Sequence, residues 1–136
     1  MQIELRNLKV HEDMSDETLC FSATIYCDGI KTAHVHNTGT GGCNMYDEFD
    51  RKKFAEFSAF CKAQKLEFAF EQKDQVIDNL IDTQKESKWI ARQKKKGYTV
   101  YSLKGEKPGT FYVYKAQGDL ITNGIRKVHG SKVTFY

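Results

Sequence analysis

A tight turn at Asp28-Gly29, between two runs of alternating residues, constrains the fold of this chain more than any other feature. In the run Thr18 to Cys27, one face carries Phe21, Ala23, Ile25 and Cys27, and the other carries Ser22, Thr24 and Tyr26. Asp-Gly suits the two central positions of a type I′ turn, both of which need positive φ. We therefore predict a β-hairpin whose second strand runs from Ile30 to His36.

The remaining elements follow from the spacing of apolar residues and from turn signals. We predict a first strand over 2–10, a helix from Asp47 or Asp50 to about Lys65, a short strand or extended connector at 67–71, a helix from Asp74 to Lys96, a hairpin of 98–104 with 110–116, a short helix or turn at 120–128 and a strand at 132–136. The order β-β-β-α-α-β-β-(α)-β predicts an α+β fold with a largely antiparallel sheet. The length of 136 residues suits a single domain over 1–136.

Charge divides unevenly along the chain. Residues 1–84 hold 9 Lys and Arg against 15 Asp and Glu, a net −6, whereas residues 85–136 hold 12 against 3, a net +9. An excess of one sign attracts partners of the other sign. The basic C-terminal part therefore predicts an anionic partner, although charge alone does not identify it.

Targeting signals and cysteine spacing bear on where the protein works. The sequence has no apolar run near the ~20 residues of a membrane helix, and its first ten residues lack the order of a signal peptide. We expect a cytoplasmic protein with no membrane partner. None of the four cysteines is paired as Cys-x-x-Cys, so free thiols are expected. The sequence leaves open whether the chain forms a homo-oligomer.

A glycine-rich segment, Asn37 to Asn44, lies between a predicted strand and a predicted helix. Such a loop can turn its backbone N–H groups towards an anion, as phosphate-binding loops do, but it lacks both the P-loop pattern and the dinucleotide pattern. A structural turn explains the same residues. On the first interpretation, the loop residues that contact a ligand are Asn37, Gly39, Gly41, Gly42 and Asn44.

The C-terminal third is rich in basic and aromatic residues. Arg92 and the lysines at 94–96 precede a hairpin that carries Tyr98, Tyr101, Tyr112 and Tyr114. Cations beside aromatic rings are typical of sites for nucleotides or single-stranded nucleic acid. A helix that ends in lysines and a hairpin rich in tyrosine also occur without any ligand. From this region we add Arg92, Lys95 and Tyr98 to the predicted ligand-binding residues.

Catalytic and metal-binding patterns are weak. His34 and His36 share a strand face, and Cys27 and Cys43 are near them in sequence, but the paired ligand spacing of a zinc site is missing. Cys43 with His36 as a base could form a nucleophilic pair, yet no motif supports an activated thiolate. We expect no catalytic residue, no metal and no cofactor.

Three segments of the chain resemble small proteins of bacterial and phage or prophage genomes. These are IELRNLKV, MSDETLCFSATIYCDG and HNTGTGGCN, which match a first strand, a Ser-x-Glu-Thr-x-Cys-Phe segment and an Asn-x-Gly-x-Gly-Gly loop. The tail VHGSKV is similar to the Tyr-Gly-x-Lys-Val ending of those proteins, with His129 in place of tyrosine. The resemblance covers the first third and the last few residues, and it implies a size class and a phage-type source rather than a chemistry.

Small phage-encoded domains without catalytic motifs often act by binding other molecules. The resemblance therefore implies a non-enzymatic accessory protein, of counter-defence type, that binds a host protein or sequesters an anionic nucleotide-like ligand. The basic C-terminal half supports an alternative, an accessory protein that binds nucleic acid.

Overall fold

The computed structural model describes residues 1–64 and 71–136, and its contacts divide the chain into two compact units, Met1–Asp82 and Thr83–Tyr136. Helices and antiparallel strands occur in both, in the order β-β-β-β-α-α-β-β-α-β. The expected α+β class is confirmed, with two sheets instead of one. The single domain over 1–136 stays a prediction, and each unit is described by itself.

The first sheet has four antiparallel strands in the order β1-β2-β3-β4. Their bounds are Ile3–Val10 for β1, Phe21–Cys27 for β2, Ile30–Asn37 for β3 and Met45–Glu48 for β4. Asp28 and Gly29 have φ angles of 51° and 81°, and Cys27 pairs with Ile30. The predicted hairpin and its turn are therefore confirmed, as is the alternation of buried residues along β2.

A bulge in β1 explains an irregular pattern of apolar residues. The pairing of β1 with β2 shifts between Arg6 and Lys9, and Asn7 between them has a φ of 56°. An extra residue in one strand reverses the alternation of side chains beyond it. Leu5 before the bulge and Leu8 after it can therefore both turn towards the core.

Two helices supply the other half of the first core. α1 is Arg51–Ala63, and α2, Gln72–Lys95, begins in the first unit and ends in the second. The fully buried cluster joins both helices to the sheet and includes Ile25, Cys27, Ala33, Val35, Phe57, Cys61, Ile77 and Ile81. Burial of each large apolar side chain contributes about 1.5–3 kcal/mol, so this layer of helices on a sheet stabilises the unit.

The structure corrects two boundaries. A helix start at Asp47 is wrong, because Asp47 lies in β4 and pairs with His34 of β3. The predicted strand from Thr18 begins only at Phe21, because the backbone N–H of Thr18 is bonded to the carbonyl of Gly39. The predicted segment 67–71 lies, apart from Glu71, outside the described residues.

The second unit holds a three-stranded antiparallel sheet in the order β6-β5-β7, together with the end of α2. Its elements are β5 at Thr99–Leu103, β6 at Tyr112–Tyr114, α3 at Asp119–His129 and β7 at Val133–Phe135. α3 contacts β5 and β7. Val100 of the central strand and Ile125 of α3 are buried. The second predicted hairpin and the short third helix are confirmed.

The N-terminus of α1 depends on one side chain. Asp50 Oδ1 accepts the backbone N–H of Lys53 at 2.8 Å, as an N-cap does. We expect Asp50→Ala to lower the free energy of unfolding by about 1 kcal/mol, because that N–H loses its acceptor. Asp50→Asn, which keeps a capping oxygen, is the control in urea unfolding followed by circular dichroism. An equal loss in both variants would contradict the cap.

Candidate binding sites

The side chain of Asn37 organises the glycine loop. Its Oδ1 accepts hydrogen bonds from the Thr18 hydroxyl at 2.7 Å and from the Gly39 N–H at 2.9 Å. Its Nδ2 donates to the carbonyl of Gly42 at 3.3 Å and to Asn44 Oδ1 at 3.0 Å. Because a side-chain amide offers two donors and one acceptor oxygen, this set uses all of its polar atoms. Asn37 holds the loop together.

Gly39 fixes the loop against the preceding segment. Its carbonyl accepts the N–H groups of Asp16 and Glu17 at 2.9 and 3.1 Å. A Cβ added at Gly39 would lie 2.5 Å from the Met14 carbonyl oxygen and 2.9 Å from Cys20 Cβ. The absence of a side chain therefore allows two stretches of backbone to meet, which is a structural use of glycine.

The rest of the loop is divided between internal contacts and solvent. The Gly41 N–H donates to the Thr18 hydroxyl at 3.3 Å, whereas a Cβ added at Gly42 would meet no atom within 4 Å. The N–H groups of Gly39 and Gly41 thus bond within the protein, which favours the structural-turn interpretation. Contact of the loop residues with a ligand stays a prediction, for which Gly42 is the best-placed glycine.

Asp74, in the first turn of α2, ties the end of the loop to that helix. One carboxylate oxygen accepts the backbone N–H of Asn44 at 3.0 Å, and the other accepts the Tyr46 hydroxyl at 2.7 Å. A carboxylate is also favoured there by the helix dipole. Burial, together with the bond to Asp74, raises the pKa of Tyr46 far above its ordinary value. The phenol therefore stays a neutral donor, and sequence analysis missed this pair.

The residues considered for metal or thiol chemistry differ in burial and in their contacts. The rings of His34 and His36 stack at 5.7 Å, while Cys27 is buried and Cys43 is exposed. No group of three His, Cys, Asp or Glu residues within 1–64 and 71–136 is arranged to hold a metal ion. The four cysteines are unbridged, as expected. Burial raises the pKa of Cys61 to about 11, which makes its thiol a poor nucleophile.

The C-terminal candidates lie where α2 ends, in a different unit from the glycine loop. Arg92 and Lys95 are exposed, and Tyr98 is half-buried. The side-chain amide of Gln117 donates to the carbonyls of Lys94 and Tyr98, at 3.0 and 2.8 Å. Gln117 therefore holds the turn after α2 through two backbone carbonyls, of which the Lys94 carbonyl also accepts the Gly97 N–H.

Ion pairing differs between the two units. In the first unit, Lys53 Nζ lies 3.0 Å from carboxylate oxygens of both Asp28 and Glu56, and Arg6 pairs with Glu4. In the second unit, whose residues are all described, none of the arginines and lysines other than Lys85 forms an ion pair. The positive charge of the second unit is therefore not neutralised locally.

Two tyrosines of the second hairpin, Tyr101 and Tyr112, pack against each other. Tyr101 stacks on Tyr112 at 5.4 Å between ring centroids, and it also contacts His129 and Phe135. These contacts cover ring faces that stacking on nucleic acid bases would need. Tyr114, in contrast, is about half exposed.

An apolar surface on α3 was not recognised from the sequence. Leu120 and Val128 are 89% and 77% exposed, although Ile125 on the same helix is only 8% exposed. They border a hollow of about 310 Å³ whose wall includes Tyr101, Tyr114, Leu120, Ile121, Gly124, Ile125, Val128 and His129. The signal was present in the spacing of Leu120, Ile121, Ile125 and Val128, which places all four on one side of a helix.

Comparisons with protein-family models, with curated proteins and with solved structures give no match. None of the helices in the described ranges has the length and apolar character that a membrane crossing demands. The second unit offers a partner two features, which are an excess of positive charge and the exposed apolar side of α3.

Two glycines of the loop offer a matched test of its structural role. Gly42→Ala should cost about 1–2 kcal/mol, because its positive φ disfavours a side chain. Gly39→Ala should cost about 1–3 kcal/mol more, since the new methyl group also overlaps the Met14 carbonyl and Cys20. Urea unfolding of both variants measures the difference in their free energies of unfolding. Equal losses of stability would show that the loop is not tightly packed against the 14–20 segment.

The bond between Tyr46 and Asp74 can be isolated by a double-mutant cycle. Tyr46→Phe and Asp74→Ala, each of which removes the bond, should each destabilise the protein, and the double variant should lose less than the sum. We expect a coupling free energy of about 1 kcal/mol in urea unfolding, the size of a partly buried hydrogen bond. Additive losses would mean that the bond does not contribute.

Proposed function

We propose that the protein is a non-enzymatic binding protein whose C-terminal unit docks an acidic amphipathic helix of another protein along α3. The observation that carries this proposal is the exposure of Leu120 and Val128 on the same side of α3 as the buried Ile125. A counter-defence protein that binds a host factor, the role implied by the resemblance, would need a surface of this kind.

The apolar area exposed on α3 supports the docking of a helix. A helix that lays its apolar side into a groove binds through anchors at intervals of three and four residues. The hollow of about 310 Å³ beside Tyr114 and Leu120 can receive one large apolar side chain of such a helix. Leu120 and Val128, at the two ends of α3, would contact further anchors on either side.

The positive charge around α3 indicates that the partner helix is acidic. Arg126 and Lys127 lie on α3 itself, and both are exposed. The unit around them has 12 Lys and Arg against 3 Asp and Glu, a net +9. Glutamates flanking the apolar anchors of a partner would complement this charge, which raises the association rate and excludes basic partners.

Nucleic acid is a weaker occupant of the same surface. Base stacking needs open ring faces, whereas Tyr101 is engaged with Tyr112 and His129. Leu120 and Val128 would also add little to a contact with phosphates. An exposed apolar stripe is better matched by apolar side chains of a protein.

The test uses designed peptides and a charge-matched pair of variants. The probe is a helical peptide with leucines at i, i+4 and i+7 and glutamates elsewhere, and binding is followed by fluorescence anisotropy. Leu120→Asp/Val128→Asp should weaken binding at least about tenfold, because it places charge on the apolar contact. Asn123→Asp/Ser131→Asp adds the same charge at other exposed positions and should bind nearly as the parent does.

Three results would overturn the proposal. The first is equal weakening by both double variants, which would indicate a purely electrostatic contact. The second is equal affinity for a peptide in which lysines replace the glutamates. The third is that the protein self-associates in light scattering, or binds anionic vesicles or single-stranded DNA, and loses this property only in Leu120→Asp/Val128→Asp. Such a result would assign the surface to that occupant instead.

A further inference from the structure

A second hollow of the C-terminal unit shares no lining residue with the hollow beside α3. It has a volume of about 390 Å³ and is lined by Lys85, Glu86, Trp89, Gly109 and Phe111. The rings of Trp89 and Phe111 lie 6.0 Å apart, tilted by 40°. Its size falls within the range of small-molecule sites, and its wall combines aromatic faces with a few charged groups, as such sites do.

Phe111 is held in place from its other side. Its ring meets the Tyr136 ring edge-on, with centroids 5.4 Å apart. The Tyr136 N–H in turn donates to the carbonyl of Val100, a fully buried residue of the central strand. The aromatic wall is therefore supported by the sheet, which limits the ordering that a ligand would have to impose.

Gly109 and Phe111 also line an adjoining hollow of about 210 Å³, formed by the loop between β5 and β6. This hollow is polar, and its lining includes the exposed Lys104 and Lys107 together with Glu106, whose carboxylate accepts the Tyr112 hydroxyl. Neither lysine forms an ion pair within the second unit, which is described throughout. An aromatic compartment thus borders a cationic one.

We infer that the two hollows together bind a guanine nucleotide. The base stacks on Trp89, because every base offers a π face to an indole ring. Lys104 and Lys107 hold the phosphates, where a charge-assisted hydrogen bond is about twice as strong as a neutral one. The site shares no lining residue with the hollow beside α3, so it is independent of the proposed protein partner.

The carboxylate of Glu86 selects the base. An ionised carboxylate only accepts hydrogen bonds. The pairing edge of guanine presents adjacent N–H donors, which match the two carboxylate oxygens, whereas adenine presents a ring nitrogen acceptor beside its amino group. Discrimination follows, because the wrong base leaves polar groups of the site unpaired.

The experiment uses Trp89 as its own reporter, since the chain has a single tryptophan. GTP should quench its fluorescence saturably, because the base stacks on the indole. ATP should bind at least about tenfold more weakly, and inorganic tripolyphosphate should cause no quenching. Calorimetry with the same three probes distinguishes binding from a loss of fluorescence that is caused by light absorption by the nucleotides.

Two variants assign the roles. Glu86→Gln should remove the preference for GTP over ATP without preventing stacking. Lys104→Glu/Lys107→Glu should weaken GTP binding at least about tenfold, whereas Lys115→Glu/Lys127→Glu makes the same change of charge elsewhere in the unit and should have little effect. Leu120→Asp/Val128→Asp should bind GTP normally, so this inference can fail separately from the proposed function.

Contrary results are equally definite. No saturable signal with GTP in either fluorescence or calorimetry would refute the site, and so would equal affinities for GTP and ATP that Glu86→Gln leaves unchanged. Binding of a single-stranded oligonucleotide without binding of GTP would overturn the inference and assign the hollow to nucleic acid instead.

Discussion

The side-chain amide of Asn37 is the interaction on which the N-terminal unit most depends. Through it, the end of β3 is bonded to Thr18 before β2 and to Gly39 in the loop. Its bond to Asn44 continues to Asp74, whose carboxylate accepts the Asn44 N–H. A single polar network thereby joins two loops to the first turn of α2, and its buried members reinforce one another because water does not compete for them.

The two units differ in how far their charged side chains are paired, and this difference affects the stability of each unit. Lys53 lies between two carboxylates, which raise its pKa, and the bonds to the Gln2 N–H and to Lys53 lower the pKa of Asp28. In the C-terminal unit, mutual repulsion of unpaired cations opposes the compact state. An anionic partner would relieve that repulsion and stabilise the fold by linkage. Both proposed ligands, an acidic helix and a nucleotide, would have this effect.

Local signals predicted most of the fold, and long-range contacts account for the errors. The turn at Asp28-Gly29 and the cap at Asp50 were predictable because each involves neighbouring residues. β4 was missed because its four residues form a strand only by pairing with β3. The part played by Gly39 depends on its contact with Met14 and Cys20, which the spacing of residues does not reveal.

The apolar residues of α3 illustrate why a site is harder to predict than a helix. Spacing places Leu120, Ile125 and Val128 on one side, and such a side normally faces a core. The helix has 11 residues and is about 16 Å long, whereas the 3-residue strands β6 and β7 are each about 10 Å long. These two edge strands are too short to follow the helix from end to end, and Ile125 near its middle is covered whereas Leu120 and Val128 near its ends are in water. The uncovered ends are the area that the proposed partner helix would bury.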